Sequence, residues 1–406
     1  MNEDMNRRHM IANVGVLALA QALLLTTVVG GMAVSALAGR TLVADPALAT
    51  LPVAALLVGP FLTSWPASMF MERFGRRSGF ILGACLAVIG GALAAFGIAE
   101  RDFWLFTAGH LFIGAFQGFG NYYRFAAMEA ATDQFRHRAM SWVIAAGVVA
   151  AFAGPALAHA TRPLGPVEFL GTYAAMAVLG ILSAGIVSRL SLKRPHVTLA
   201  NAASARPLRN IVASYPVIAA VATGSIGYAV MILAMTATPL AMSDCGLGME
   251  LSRSVIQWHV LGMFAPSFFT GRMIQKFGAP RVAMVGLFLL TGHILVAVSG
   301  SEMLQFTSAL VLLGIGWNFT FLGGTAMLAQ THNPAERAKV QAVNEFMVFG
   351  LSAFASLSAG WLLTHVGWAS LNLVLLVPLV VVALILLPSV VPLRCPMMRP
   401  APQEGR

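Results

Sequence analysis

Charge is what this sequence has least of. Of its 406 residues, 10% are Asp, Glu, Lys or Arg, against about a quarter in an average soluble protein. Meanwhile 58% are hydrophobic, and the mean hydropathy is +0.80. So few polar side chains do not cover a water-facing surface, which excludes a soluble enzyme and a disordered chain. Cysteine is nearly absent: Cys85, Cys245 and Cys395 are too few and too scattered for a disulfide framework or a zinc site, so three free thiols are expected. A phosphate-binding loop, metal-ligand spacing and a nucleophile elbow are missing, so no catalytic residue, no metal and no cofactor are expected. The 25 Lys and Arg outnumber the 15 Asp and Glu, but no polar stretch is long enough to gather them into a nucleic-acid-binding face. The partner this composition requires is a lipid bilayer.

What the sequence has is long apolar runs. Crossing about 30 Å of hydrocarbon takes roughly 20 residues, and runs of that order recur at 11–38, 49–71, 79–98, 103–127, 139–160, 167–188, 213–238, 254–275, 281–299, 303–329, 340–364 and 368–391. A barrel would alternate in segments of about ten residues; these runs are solid. They predict an all-α integral membrane protein with twelve transmembrane helices. The first run follows Arg7 and Arg8 and ends near Ala36-Leu37-Ala38, but it is nearly twice a signal-peptide core of about 7–15 residues and is read as a span. With the N-terminus inside, 21 of the 25 cations fall in cytoplasmic segments, and only Arg40, Arg101, Arg162 and Arg253 fall outside. That asymmetry predicts cytoplasmic termini and an inner, plasma-type membrane.

Residues 189–212 form a basic cytoplasmic linker with six runs on either side. The division expected is an N-terminal six-helix bundle at 1–188, the linker, and a C-terminal six-helix bundle with a short tail at 213–406. The halves repeat. After the second run stands Ser68-Met69-Phe70-Met71-Glu72-Arg73-Phe74-Gly75-Arg76-Arg77, and after the eighth Gly271-Arg272-Met273-Ile274-Gln275-Lys276-Phe277-Gly278. A shift of 203 residues places Arg73 on Lys276, Phe74 on Phe277 and Gly75 on Gly278. Gly118-Phe119-Gly120 likewise matches Gly314-Ile315-Gly316, and Arg138-Ala139 matches Arg337-Ala338.

The segment from Ser68 to Arg77 resembles the signature that the major facilitator superfamily carries between its second and third helices. Ser68 stands in place of its first glycine and Glu72 in place of its aspartate, while the distal copy has Gln275 where the acid belongs. The stretch from Arg337 to Gln341, with Asn344-Glu345-Phe346, is similar to bacterial riboflavin importers of that superfamily. The resemblance implies a secondary transporter of a small molecule, built as two six-helix bundles with the first, fourth, seventh and tenth helices around a central path. It also implies that Glu72, Arg73, Gly75, Arg76 and Arg77, with Gly271, Lys276 and Gly278, form a cytoplasmic gate. Glu72 would pair across to the other half, and Gly75 would permit a tight turn; a simple topology anchor is the alternative. Gly154-Pro155 preserves only a fragment of the exporter motif, and an isolated Gly-Pro is most often a kink.

Ionisable groups inside a membrane are functional candidates by default. Here the carboxylates sit at the edges of the runs. Glu345 lies deepest, within reach of Arg337 or Lys339. With no fixed charge at the midplane, a largely neutral solute is favoured, and a coupling proton would fall to His110, His259, His293 or Glu345. His110, Gly114, Gln117 and Asn121 are spaced by four, three and four residues and share one helix face, with Tyr122 beside them. The superfamily resemblance aims that stripe at substrate; helix-to-helix hydrogen bonding is the other reading. Gln21, Tyr228, Trp317 and Asn318 complete a candidate cavity of amides and aromatic faces, with Trp258 and His259 in its wall. Such a cavity suits a planar heterocycle such as riboflavin, taken up by a monomer. A drug or metabolite exporter of the same superfamily is the alternative, and an integral membrane enzyme a distant one.

Overall fold

The computed structural model describes residues 2–43, 48, 51–192 and 206–390. Asp45, Cys395 and the middle of the linker lie outside them, as do the side chains of Arg7 and Arg253. All regular structure among the described residues is helical, because in hydrocarbon each N–H and C=O must be bonded within its own segment. The helices are α1 (Asn2–Leu42), α2 (Leu51–Phe74), α3 (Arg76–Ala99), α4 (Phe103–Gly120), α5 (Tyr123–Ala130), α6 (Arg136–Ala145), α7 (Gly147–Thr161) and α8 (Leu170–Val187). They continue as α9 (Leu208–Val212), α10 (Tyr215–Asp244), α11 (Met249–Phe264), α12 (Ser267–Phe277), α13 (Ala279–Ser299), α14 (Met303–Leu328), α15 (Arg337–Val374) and α16 (Leu376–Val390).

Nine helices among the described residues are long and apolar enough to cross a membrane. The twelve expected runs are all present, because two spans are broken and two are fused. The fourth span is α4 with α5, interrupted at 121–122, and the eighth is α11 with α12, interrupted at 265–266. At the second break Pro266 has no N–H to continue the ladder, and the Thr270 hydroxyl turns back to the Pro266 carbonyl at 2.8 Å. The eleventh and twelfth spans run together through Gly367, whose φ of 76° is a left-handed value that glycine adopts without strain. The fifth span is α6 with α7, and α9 is the described end of the linker.

Packing repeats with a period of six spans. In the first half α4 packs on α2 and α3, α3 on α8, and α1 on α7; in the second half α14 packs on α11 and α13, α13 on α16, and α10 on α15. The halves meet where α2 lies against α15, α6 against α12 and α7 against α11. Each signature copy turns at the same glycine, Gly75 with φ 89° and Gly278 with φ 87°. Both lie at the end that gathers Arg76, Arg138, Lys276 and Arg337, called here the basic end.

A close backbone approach in the first half joins the second and fourth spans. A Cβ on Gly59 would stand 2.6 Å from the Cα of Gly114, so only hydrogen fits between the two backbones. Gly59→Val should therefore destabilise the folded protein by about 1–3 kcal/mol through overpacking. Gly185→Ala, with nothing within 4 Å of the added carbon, should melt like the parent. Thermal melts of the two variants in one detergent check both outcomes.

Candidate functional site

Polar groups converge on aromatic ones where α5, α10, α14 and α15 meet. Arg124 on α5 donates from Nη2 to Glu345 Oε1 on α15 at 2.5 Å; their side chains are 3% and 0% exposed. The pair joins the fourth span to the eleventh and so ties the two halves of the chain together. Asn344 Nδ2 donates to the same Glu345 oxygen at 2.7 Å, and Arg124 Nη1 donates to the Asn121 carbonyl at 2.8 Å. The guanidinium lies 4.4 Å from the Phe321 ring and 4.6 Å from the Phe125 ring. Phe321 in turn stacks on Trp317 with centroids 5.0 Å apart. Tyr228 meets Trp317, Phe321 and Phe349 with centroids 5.3 to 5.8 Å apart. Ion pairs this deep repay their desolvation only when well bonded, and removing one partner costs about 3–5 kcal/mol.

The bonding is incomplete in a specific way. Gln117 Oε1, Asn121 Nδ2, Arg124 Nε, Trp317 Nε1 and Glu345 Oε2 are all buried without a hydrogen-bond partner. Each such atom costs about 1–3 kcal/mol in desolvation, so a concentration of them marks a place left for something to bind. Gln117 and Asn121 belong to the candidate stripe, and Trp317 and Tyr228 to the candidate aromatic surface. Arg124 belongs to neither, although the stripe's spacing of four, three and four continues by three to reach it. Glu345 was expected to pair with Arg337 or Lys339; its partner is Arg124, on a helix that sequence proximity does not indicate.

Other candidates are occupied elsewhere. His110 is fully buried and points into the first half, bonded to Ser35 of α1 and Tyr173 of α8 at 2.6 and 3.1 Å. It therefore leaves the substrate-facing stripe. Tyr122 gives its hydroxyl to the Ser64 carbonyl at 2.7 Å. Asn318 spends its whole amide on Met263, Ser267 and Thr270, so it fastens α14 to the eighth span. Neither has a polar atom free for a solute. Gln21 is buried on α1, and no described residue bonds its amide. Trp258 is 53% exposed, so it does not line a closed wall. His259 and His293 are fully buried and hang by Nδ1 from consecutive carbonyls of α14, Leu310 at 2.8 Å and Ala309 at 2.9 Å; the Nε2 of each is buried without a partner, away from the Arg124–Glu345 pair.

The basic end is latched. Glu129, at the end of α5, bonds Arg76 at 2.7 Å and pairs with Arg337 of the second half at 3.3 Å. Arg76 also reaches Gln341 Oε1 at 2.5 Å, Ser68 donates to the Ala338 carbonyl at 2.8 Å, and Gln275 Nε2 donates to the Gln134 carbonyl at 2.8 Å. Gly271 lets α12 press on α6, for a Cβ there would stand 2.5 Å from the His137 carbonyl oxygen. Glu72, expected to be the latch acid, is exposed and makes no ion pair among the described residues. It lines an open vestibule of about 1820 Å³ with Arg73, Arg77, Arg138 and Arg189. Arg73 and Lys276 cover the rings of Phe74 and Phe277 at 5.3 and 5.2 Å, the same contact in each copy.

Burial alone would raise the Glu129 carboxyl, but the Arg76 charge and hydrogen bond, with Arg337 beyond, hold it below the usual carboxylate value. A depressed acid stabilises the state it belongs to above its unpaired pKa, and that contribution is lost as pH falls through the depressed value. The latch should therefore hold at neutral pH and loosen in acid. Glu129→Gln should raise thiol labelling of a cysteine placed at the basic end by about threefold or more at pH 7, whereas Glu72→Gln should not. Equal labelling of both variants and the parent would count against the latch.

The chain matches the model of the Major Facilitator Superfamily over residues 220–403 and that of the Sugar (and other) transporter family over residues 13–124. It is 42% identical to the Brucella anthropi riboflavin transporter RfnT over 94% of this chain and 96% of that protein. It is also 27% identical to YddS, an uncharacterized MFS-type transporter of Bacillus subtilis, over 86% of each chain. Among solved structures, the proton:xylose symporter XylE superposes with a TM-score of 0.78 over 95% of this chain and 97% of that one at 13% identity. FucP in its outward conformation superposes with a TM-score of 0.75 over 93% and 98%, also at 13% identity. Twelve helical spans, a packing plan repeated between the halves and a relative of this identity over nearly the whole length agree: the chain belongs to the major facilitator superfamily and is a multi-pass membrane transporter, not an enzyme.

Proposed function

We propose that this transporter takes up riboflavin, or a planar heterocycle close to it, across a bacterial inner membrane. The observation that carries the reading is the 42% identity to the riboflavin transporter of Brucella anthropi across 94% of the chain. The site supports it: aromatic faces at Tyr228 and Trp317 suit a flat ring, and the free amide atoms of Gln117 and Asn121 suit a ring with carbonyl and N–H groups. The basic end faces the cytoplasm, as the cation asymmetry indicates, with both termini on that side. The six-helix bundles 1–188 and 213–406 rock about the central site while the 189–212 linker joins them, and the carrier works as a monomer.

Protons drive the uptake in this proposal, and the bonding around His110 is the reason. Its Nδ1 lies 2.9 Å from the Phe106 carbonyl, a bond that only an N–H makes. Its Nε2 lies 2.6 Å from Ser35 Oγ and 3.1 Å from Tyr173 Oη. A neutral ring accepts there from one of the two hydroxyls. A proton gained at Nε2 is accepted by Ser35 Oγ once the Ser35 hydrogen turns to the Gly31 carbonyl and Tyr173 donates to Ser35 Oγ at 3.1 Å. The cluster can therefore hold either protonation state, as a coupling site requires.

Cells that neither make nor otherwise import riboflavin test the reading. Expression of this chain should restore uptake of labelled riboflavin, and Tyr228→Ala or Gln117→Ala should lower it about tenfold. No uptake by the parent would remove the flavin reading, and efflux of apolar drugs from the same cells would favour an exporter. For coupling, His110→Gln should abolish accumulation driven by a pH gradient in proteoliposomes while riboflavin counterflow, which needs no gradient, continues. Undiminished accumulation by that variant would exclude His110 as the proton site.

A further inference from the structure

The ion pair between the halves is bonded on one side only. Glu345 Oε1 receives both Arg124 Nη2 and Asn344 Nδ2, while Glu345 Oε2 has no partner. Arg124 uses Nη2 on Glu345 and Nη1 on the Asn121 carbonyl, while its Nε is buried and free. A pair made only for stability would close as a two-bond fork, since that geometry uses both carboxylate oxygens. Here the fork is declined, and the joined groups keep one free acceptor and one free donor. Beside them stand the free acceptor of Gln117 and the free donors of Asn121 and Trp317. Gln117, Asn121 and Arg124 follow one another at helical spacing on one face, and Arg124 is linked to Trp317 through Phe321, which it covers and on which Trp317 stacks. The residues that carry the free atoms thus sit on one face of the fourth span, on its ion-pair partner Glu345, and on the aromatic cluster that Arg124 covers.

A ligand that completes these bonds carries an N–H adjacent to a carbonyl on the rim of a flat ring. We infer that Arg124 and Glu345 read the substrate's imide edge: Glu345 Oε2 accepts the ring N–H, and Arg124 Nε donates to the neighbouring carbonyl. The inference rests on the flavin reading above, since the pyrimidinedione edge of riboflavin has this pattern of C=O, N–H and C=O. Gln117, Asn121 and Trp317 serve the remaining polar atoms, and Tyr228 supplies the face along which the ring lies. The ligand completes the ion pair instead of displacing it, so a bound ring touches the fourth and eleventh spans together. Selectivity follows. An analogue that keeps the ring but lacks the N–H leaves Glu345 Oε2 unpaired and sets a methyl group against it.

The test is a binding titration by flavin fluorescence quenching, with the full chain in lipid nanodiscs and with riboflavin and 3-methylriboflavin as probes. The parent protein should bind 3-methylriboflavin at least about tenfold more weakly than riboflavin. Glu345→Gln keeps the shape but places an amide NH2 where the free oxygen stood, since the remaining oxygen still faces Arg124 and Asn344. It should weaken riboflavin binding and shrink the preference to within about threefold. A purely gating role for the pair would change affinity for both flavins alike and leave their ratio intact. Equal affinity of the parent for the two flavins overturns the inference while leaving riboflavin as cargo. Quenching by neither overturns the flavin reading and this one with it. The comparison on the parent stands whether or not the variant folds.

Discussion

In hydrocarbon no water attends a polar atom, so each one must be bonded inside the protein or kept for something that arrives. That constraint sorts the polar side chains of this transporter more sharply than residue type does. Asn318 and Gln117 are both amides on central spans, yet Asn318 has every bond made within the second half, whereas Gln117 leaves an oxygen free. The first is a fastener between helices and the second a candidate contact for cargo. His110, bonded at both nitrogens, is separated from Gln117 by the same criterion even though the two share a helix face.

The duplicated plan is used unevenly. Corresponding spans pack on corresponding partners, and the turns at Gly75 and Gly278 are nearly superposable in φ. At the junction of the halves, however, equivalent positions do different work. Ser68 bonds across to the Ala338 carbonyl, whereas Gly271, its counterpart in the shifted alignment, clears space for the backbone of α6. Gln275 bonds across to the Gln134 carbonyl, whereas its counterpart Glu72 faces the vestibule. One contact surface is therefore built around the Glu129 carboxylate, and the other on close packing at Gly271 against the backbone of His137 and Arg138. The first responds to pH through Glu129.

The spans, their number and the internal repeat were legible because hydropathy and glycine spacing are local properties of the chain. The Arg73–Phe74 contact and its copy at Lys276–Phe277 follow from neighbours in sequence, and so does the turn at Gly75. What was not legible depends on which distant helices meet. Glu345 lies eight residues after Arg337 in the chain, so a local partner was the natural expectation, but helix packing brings it to Arg124. Glu129 carries no motif that marks it, and only the approach of α5 to the start of α15 makes it a latch. The helical spacing of the stripe also carries a signal for Arg124, but a cation near the end of a span reads first as a topology anchor.

The buried pair also bears on how the halves can part. In an alternating-access cycle the basic end must open, and opening separates α5 from α15. Separation of an empty carrier would leave Arg124 and Glu345 unpaired in surroundings of low dielectric, at a cost of about 3–5 kcal/mol, before the latch around Glu129 is counted. Those contacts are partly exposed, at 12 to 21%, and contribute about 1 kcal/mol apiece, so the deep pair and not the latch sets the larger part of the barrier. A cargo that bonds Glu345 Oε2 and Arg124 Nε, or a proton on the carboxylate, lowers that cost because it satisfies the groups before they part. The same two side chains then resist opening when the site is empty and permit it when the site is filled, which is the condition a coupled carrier must meet to move solute without leaking.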